Sequence, residues 1–410
     1  MNKKKLSKNV AWMFIGNSVY AISLWLQLLI VARYSSEFHL GTYTLAIAVI
    51  APIFMFFSFQ LRAMQVTDVN SEFDFFDYLN FRVGTNLIAF LVIIVYVFFL
   101  MGQTQGRGVF LGVAAIKALE AISEVFNSRH QLNEKMKCVA ISFSLKGLAG
   151  VAGMSFGIFY LKSLNLALIS IAFFYILVIF FVDTRGSGFH FKSIDLIGFF
   201  KKNTWLLILK KGLPLGIVLF IGSINTNLPK YLIELEMGRV EQGVYSTLAY
   251  FIVIGNFMVS AVGQAFVPRL SKLYANQQLR EFRNLGHVFT FFCFCLGIGA
   301  VLISYFFSEF LLKTFVGDAF INYGDLLTLI LVVGTVVYVT SSYGYLLTAM
   351  RIFRVQPYIN LFSLSIGGGL SYFLIIEYGL FGACYGGMAT FGLQALLANF
   401  FIYKNMKIKI

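Results

Sequence analysis

Proline is scarce in this chain, with five residues in 410, and cysteine and histidine are scarcer still, with four of each. So few prolines leave long helices uninterrupted. Cys138, Cys293, Cys295 and Cys384 lie in or beside apolar segments without a C-x-x-C pair, which excludes a disulfide framework or a zinc ribbon and marks them as reduced core residues. His39, His130, His190 and His287 are scattered, and no H-E-x-x-H, phosphate-cradling P-loop or G-x-S-x-G is present. No metal site or enzyme constellation is therefore expected. Charge is also thin, at 12% of residues, and its acidic part is small: 18 Asp and Glu stand against 32 Lys and Arg. A net charge of +14 can signal nucleic acid. Here the cations flank apolar runs instead of forming an aromatic-interleaved patch, so membrane topology accounts for them.

Apolar residues dominate, at 59% with a mean hydropathy of +0.81, which excludes an ordinary soluble domain. Runs such as LIAFLVIIVYVFFLM at 87–101 are helical in length, whereas barrel strands would alternate weakly over about ten residues. Spans are expected at 10–31, 41–60, 81–101, 109–128, 138–160 and 164–182, and again at 212–235, 244–266, 287–308, 326–347, 357–376 and 380–403. The expected fold is an all-α polytopic membrane protein of about twelve helices. The basic start MNKKKLSK lacks a following small-residue cleavage site, so the first span is read as uncleaved. With the amino terminus in the cytoplasm, 24 basic residues fall on that side and 5 on the other, which predicts both termini inside.

Two halves are legible, 1–182 and 212–410, joined by a polar interval at 183–211. Gly41-Thr-Tyr43 and Gly243-Val-Tyr245 occupy the same place before the second span of each half, 202 residues apart. Six spans per half is an even number, so the halves run in the same direction, as a parallel repeat with a cavity between them. The interval includes Leu196, Phe199 and Trp205 among Lys201, Lys202, Lys210 and Lys211. It reads either as a surface amphipathic helix or as a solvated linker.

Charged residues inside spans are costly, at about 2.5–3.5 kcal/mol each at mid-bilayer, so their placement carries information. Lys117, Glu120, Glu124, Asn127 and Gln131 fall within an arc of about 80° on the fourth span, predicting one polar wall that lines a wet interior. Lys146 sits mid-span after Ser142 and before a run of glycines, either in a structural ion pair or on the cavity, with Glu120 and Glu124 its nearest acids in sequence. Lys230 follows Asn225, Asn227 and Pro229, which suggests either a broken helix lining a cavity or a lysine snorkelling outward. Arg33 and Arg62 end the first two spans. They read as interfacial anchors or, with Gln60 beside Arg62, as ligands for an anionic head group, since guanidinium binds phosphate bidentately.

The segments FQLRAMQVTD (59–68), FFDYLNFR (75–82), SEVFNSRHQLNEKM (123–136), ISFSLKG (141–147), GVYSTLAY (243–250) and GQAFVPRLSKLY (263–274) resemble the bacterial Wzx-type oligosaccharide flippases. These form the polysaccharide-transporter branch of the multidrug/oligosaccharidyl-lipid/polysaccharide (MOP) superfamily. The resemblance covers most of the chain. It implies two six-helix bundles around a cationic cavity in the bacterial cytoplasmic (inner) membrane, and alternating access that moves an undecaprenyl-pyrophosphate-linked repeat unit, as in O-antigen, lipopolysaccharide or capsule assembly. A monomer working beside a polysaccharide polymerase and a chain-length regulator, with no cofactor beyond a coupling H+ or Na+, is implied as well. Glu120 and Glu124 are the candidates either for that coupling or for balancing the lysines. Lipid II flippases of the same superfamily usually carry two further spans. Two other readings are an ion-coupled drug exporter, for which a cavity dominated by carboxylates is expected, and a polysaccharide polymerase, which needs a larger outer platform than loops of at most about 17 residues near 308–324 supply.

Overall fold

The computed structural model describes residues 3–68, 72–101, 106–185, 202–352 and 355–407, and among them every regular element is a helix. In the first half these are α1 (Lys3–Tyr34), α2 (Glu37–Ser58), the short α3 (Leu61–Thr67), α4 (Phe75–Val95), α5 (Arg107–Leu132), α6 (Met136–Ser155) and α7 (Leu164–Val178). Then follow α8 (Lys202–Glu236), α9 (Arg239–Ala275), α10 (Leu279–Leu311), α11 (Gly324–Ala349) and α12 (Gln356–Lys407). Among the described residues, ten helices are long and apolar enough to cross a membrane. α5 is left out of that ten, carrying Lys117, Glu120 and Glu124 at its centre, and α12 breaks at Gly379, where φ is 59°. With α5 included and both limbs of α12 separated, the described residues hold the twelve expected spans.

The starts and stops follow from local chemistry. Ser36 caps α2 by accepting the His39 N–H at 3.3 Å, and Glu37 complements the helix dipole in the first turn. The Asp74 backbone N–H donates to Asp77 Oδ2 at 3.1 Å, half of a capping box that opens α4. Between α2 and α3, Phe59 and Gln60 both adopt left-handed backbone, with φ of 48° and 49°, and turn the chain from one helix into the next. α4, α6, α7 and α10 each end in a five-residue π-turn, over Tyr96–Leu100, Phe156–Tyr160, Ile179–Asp183 and Leu312–Val316. α8 is continuous through Pro214 and Pro229, so the broken helix expected near Lys230 does not form. Residues 202–211 are the first turns of α8, while 186–201, with most of the expected surface helix, lie outside the described residues.

The chain forms two compact units, Met1–Ser223 and Ile224–Ile410. α2 begins at Glu37 and α9 at Arg239, again 202 residues apart, as the repeat requires. Each unit places apolar side chains outward. On α7 and its terminal π-turn, Ile169, Phe173, Ile176 and Phe180 form one exposed stripe, and on α10 Val288, Phe291, Ile298, Leu302 and Tyr305 form another. Spacings of three, four and seven residues put each set on one helix face, the pattern of a surface solvated by lipid. Inside the first unit, Phe59, Phe75, Tyr78, Phe81, Val125 and Phe126 pack with Ile208 and Trp205 of α8. Inside the second, Val259, Phe289, Cys293 and Tyr338 form one core and Leu270, Phe282, Leu346 and Ile402 another.

At the end of α3 a polar clasp replaces apolar packing. Asp68 accepts the Glu72 and Phe73 N–H groups at 2.7 and 3.1 Å and the Tyr78 hydroxyl at 2.9 Å. Lys211 pairs with Glu72 and lies 5.3 Å from the Phe73 ring centroid. Burial alone would raise the Asp68 pKa, but the two backbone donors, the Tyr78 hydroxyl and the Lys211 charge together hold it below the ordinary aspartate value.

Two predictions follow from these features. Asp68 stabilises the folded chain above its unfolded pKa, and this contribution is lost as pH falls through the lower folded value. Asp68→Asn should therefore lower the melting temperature at pH 7 and match wild type in acid; a constant difference across pH would refute the clasp. A Cβ at Gly382 would collide with the Leu374 carbonyl oxygen, whereas one at Gly369 meets nothing within 4 Å. Gly382→Ala should cost about 1–3 kcal/mol in detergent unfolding, and Gly369→Ala should cost nothing.

Candidate functional site

A cavity of about 640 Å³ opens within the first unit, lined by residues of α1 to α6, the α2–α3 turn and Leu219 of α8. The predicted polar wall of α5 faces it: Lys117, Glu120, Glu124 and Gln131 all line the cavity. They are joined by Gln60 and Arg62 from the α2–α3 end, by Lys146 of α6 and by Arg82 of α4. Four cations thus face two carboxylates, and the lining carries an excess of two positive charges.

Each charge has a local partner. Lys117 Nζ donates to Glu120 Oε2 at 2.7 Å, and the Tyr20 hydroxyl donates to Glu120 Oε1 at 2.6 Å. Arg82 Nη2 donates to Glu124 Oε2 at 3.2 Å, with the arginine side chain only 2% exposed and the glutamate 34%. Arg62 donates through Nε and Nη2 to Gln131 Oε1 at 3.3 and 3.0 Å. The Phe143 ring lies 5.8 Å from the Arg62 guanidinium and 5.3 Å from Lys146 Nζ, so one aromatic face serves two cations. Lys146 Nζ donates to Ser123, whose hydroxyl donates to Asp183 Oδ2, and the ammonium is 3.7 Å from that carboxylate.

The structure corrects several expectations. Lys146 pairs with Asp183 and not with Glu120 or Glu124, which are engaged by Lys117 and Arg82. The five-residue π-turn Ile179–Asp183 brings the carboxylate inside, whereas the sequence pattern places Asp183 at the start of a polar interval. Arg82, one of the basic residues counted on the cytoplasmic side, is buried inside the bundle. Asn127 is turned away from the cavity and is 1% exposed; its Nδ2 donates to Ser123 Oγ and Ser142 Oγ, both at 3.1 Å. Arg33 is exposed at the end of α1, 5.9 Å from the Tyr34 ring, and is not in the cavity lining.

Lys230, Asn225 and Asn227 belong to the second unit. Lys230 Nζ donates to Asn227 Oδ1 at 3.0 Å. Asn225 Nδ2 donates to Gln394 Oε1 at 3.5 Å, and Gln394 Nε2 donates to Asn360 Oδ1 at 2.7 Å, an amide chain linking α8 to both limbs of α12.

Arg82, Asp183, Ser123 and Tyr20 are the site residues that sequence reasoning missed. Arg82 did carry a signal, since Thr85 and Asn86 follow it at helical spacing and place all three on one face of α4. Asn86 Nδ2 uses that face to reach the Ala118 carbonyl of α5 at 3.0 Å. Asp183 carried none, because a π-turn has no comparable sequence pattern.

No family model matches the chain. It is 29% identical over 415 residues to the capsular polysaccharide biosynthesis protein CapF of Staphylococcus aureus, covering 97% of this chain and 99% of that one. Its structure is similar to that of the lipid II flippase MurJ in an inward closed conformation, with a TM-score of 0.74 at 14% identity, over 95% of this chain and 87% of that one. It is also similar to an inward-facing multidrug resistance MATE family transporter of the MOP superfamily, with a TM-score of 0.65 at 13% identity, over 98% and 95% of the two chains. The all-helical fold expected from the sequence is matched by the fold of these solved structures. The chain is a multi-pass membrane protein that shares the fold of these solved structures.

Proposed function

We propose that this protein is a flippase that moves a polyprenyl-pyrophosphate-linked oligosaccharide from the cytoplasmic to the outer leaflet by alternating access, in the assembly of a capsule-like surface polysaccharide. The observation that carries this reading is the cavity in the first bundle, where Arg62, Arg82, Lys117 and Lys146 face only Glu120 and Glu124. Such an excess of cations in a low-dielectric cleft attracts a phosphate head group far more strongly than the same groups in water. A hydrophobic cation, the cargo of a drug exporter, would be repelled there. Similarity to a capsular polysaccharide biosynthesis protein over nearly the whole chain supports the glycan class.

The asymmetry of basic residues supports a cytoplasmic placement of both termini. In that orientation the cavity, built from the carboxyl ends of α2 and α5 and the amino ends of α4 and α6, lies in the cytoplasmic half. That is where a lipid-linked repeat unit is made available. Glu120 and Glu124 act in charge balance, holding Lys117 and Arg82 without neutralising Arg62. In the second bundle, Lys230 with Asn225 and Asn227 offers a further cation and amides suited to pyrophosphate and sugar hydroxyls. The protein works as a monomer whose product is passed to a polymerase with its chain-length regulator.

Replacing Lys117 or Lys146 by alanine should abolish surface polysaccharide and leave lipid-linked repeat units facing the cytoplasm, scored by surface glycan staining and by protease-free glycosidase access in inverted vesicles. Normal polymer in both variants would sink the cavity assignment. Arg82→Gln leaves Glu124 without its cation, so Arg82→Gln and Glu124→Gln should be less destabilising together than their separate effects sum to, with a coupling of about 0.5–3 kcal/mol in a double-mutant cycle.

A further inference from the structure

Lys146 faces two ways. It lines the cavity, yet only 4% of its side chain is exposed, and on its inner side it is held by Ser123 and Asp183. Asp183 is fully buried. Its Oδ2 is occupied by the Ser123 hydroxyl and the ammonium, while its Oδ1 has no hydrogen-bond partner among the described residues. A buried pair of this kind seldom repays its desolvation through stability alone, which directs attention to what the cation does when the cavity fills.

An anionic head group that reaches Lys146 competes with Asp183 for one ammonium. The cavity side offers room, whereas the inner side, where the Asp183 side chain is fully buried, does not. When Lys146 turns to the ligand, Asp183 becomes a buried carboxylate without a counter-charge, a state that buried acids avoid by taking a proton. The orphaned Oδ1 is the atom that receives it. We propose that Asp183 takes up one proton when an anionic head group engages Lys146, so that substrate binding in this bundle is linked to proton entry. The proposal rests on the reading of the cavity as a pyrophosphate site.

The surroundings select Asp183 as the proton acceptor. Packed against its turn are α5, α6 and α7. From α6 comes Lys146. From α5 come Glu120 and Glu124, which act on the Lys146 charge but are held by Lys117 and Arg82. His130 of α5 donates its Nε2–H to the Asp183 backbone carbonyl at 3.0 Å and so faces the main chain, not the ammonium. Tyr175 of α7 is buried in the same bundle. Only Asp183 loses its partner when Lys146 moves.

The test uses the full chain in lipid nanodiscs with farnesyl pyrophosphate as the probe. Titration calorimetry in buffers of different ionisation enthalpy should give uptake of about one proton per probe bound, and affinity should fall by up to about tenfold per unit rise in pH. Asp183→Asn should bind at least as tightly and lose about one proton of uptake relative to wild type, keeping only the proton exchange of the pyrophosphate itself, and His130→Gln should keep the wild-type uptake. Unchanged uptake in Asp183→Asn overturns the proposal alone, as does uptake that depends on sodium instead of protons. Failure of wild type to bind the probe overturns the anion-cavity reading and the proposal with it. Should Asp183→Asn not fold, infrared difference spectra decide the matter: probe binding should raise a protonated-carboxyl band that shifts in Asp183→Glu, which keeps the charge pair. An absent or unshifted band rejects Asp183.

Discussion

The structure of the first bundle is governed by the cost of holding cations in a medium that cannot solvate them. Its four cavity cations meet that constraint in three ways. Lys117 and Arg82 take a carboxylate each, Lys146 shares a carboxylate through a hydroxyl, and Arg62 is held by the neutral oxygen of Gln131 and an aromatic ring. Neutral partners leave positive charge unspent. The cavity therefore keeps an attraction for anions that full pairing would have erased, and keeps it where water is scarce and attraction strongest.

That charge arrangement depends on how tightly the helices pack behind it. α6 approaches α1 so closely that a Cβ on Gly150 would meet the Gln27 amide at 2.5 Å. Small residues at the crossing permit this approach, as in other membrane bundles. The approach in turn sets Lys146, one turn before Gly150, at a fixed depth between Ser123 and the cavity. On the opposite side, Trp205 of α8 packs against Phe81 beside Arg82, with ring centroids 5.2 Å apart. Buried apolar contacts thus fix the charged groups in place, and the charged groups contribute little to holding the bundle together.

Much of this was legible in the chain. Helical periodicity identified the polar wall of α5 because a charged stripe on an apolar helix is conspicuous, and four of its five residues line the cavity. The division of the last long helix between 376 and 380 was visible as a lapse in hydropathy, and Gly379 supplies the break. What escaped were partners that depend on winding or on distant packing. Asn127 shares the α5 arc but meets Ser142 of the adjoining helix before it meets the cavity. Periodicity gives a direction in space and does not reveal which neighbour stands there. The first turns of α8 fell within the interval read as a surface helix or a linker, because their lysines mask a longer helix that Trp205 and Ile208 anchor to the first bundle.

The π-turn that ends α7 has a consequence of its own. Five residues there occupy the winding that an α-helix would fill with fewer, so Ile179–Asp183 carries a local excess of chain. Passing that excess along the helix by one residue would swing Asp183 through about 100° while leaving the backbone hydrogen-bonded throughout. In the winding present, the last residue of the segment is turned into the bundle, so the carboxylate owes its buried position to the wider turn.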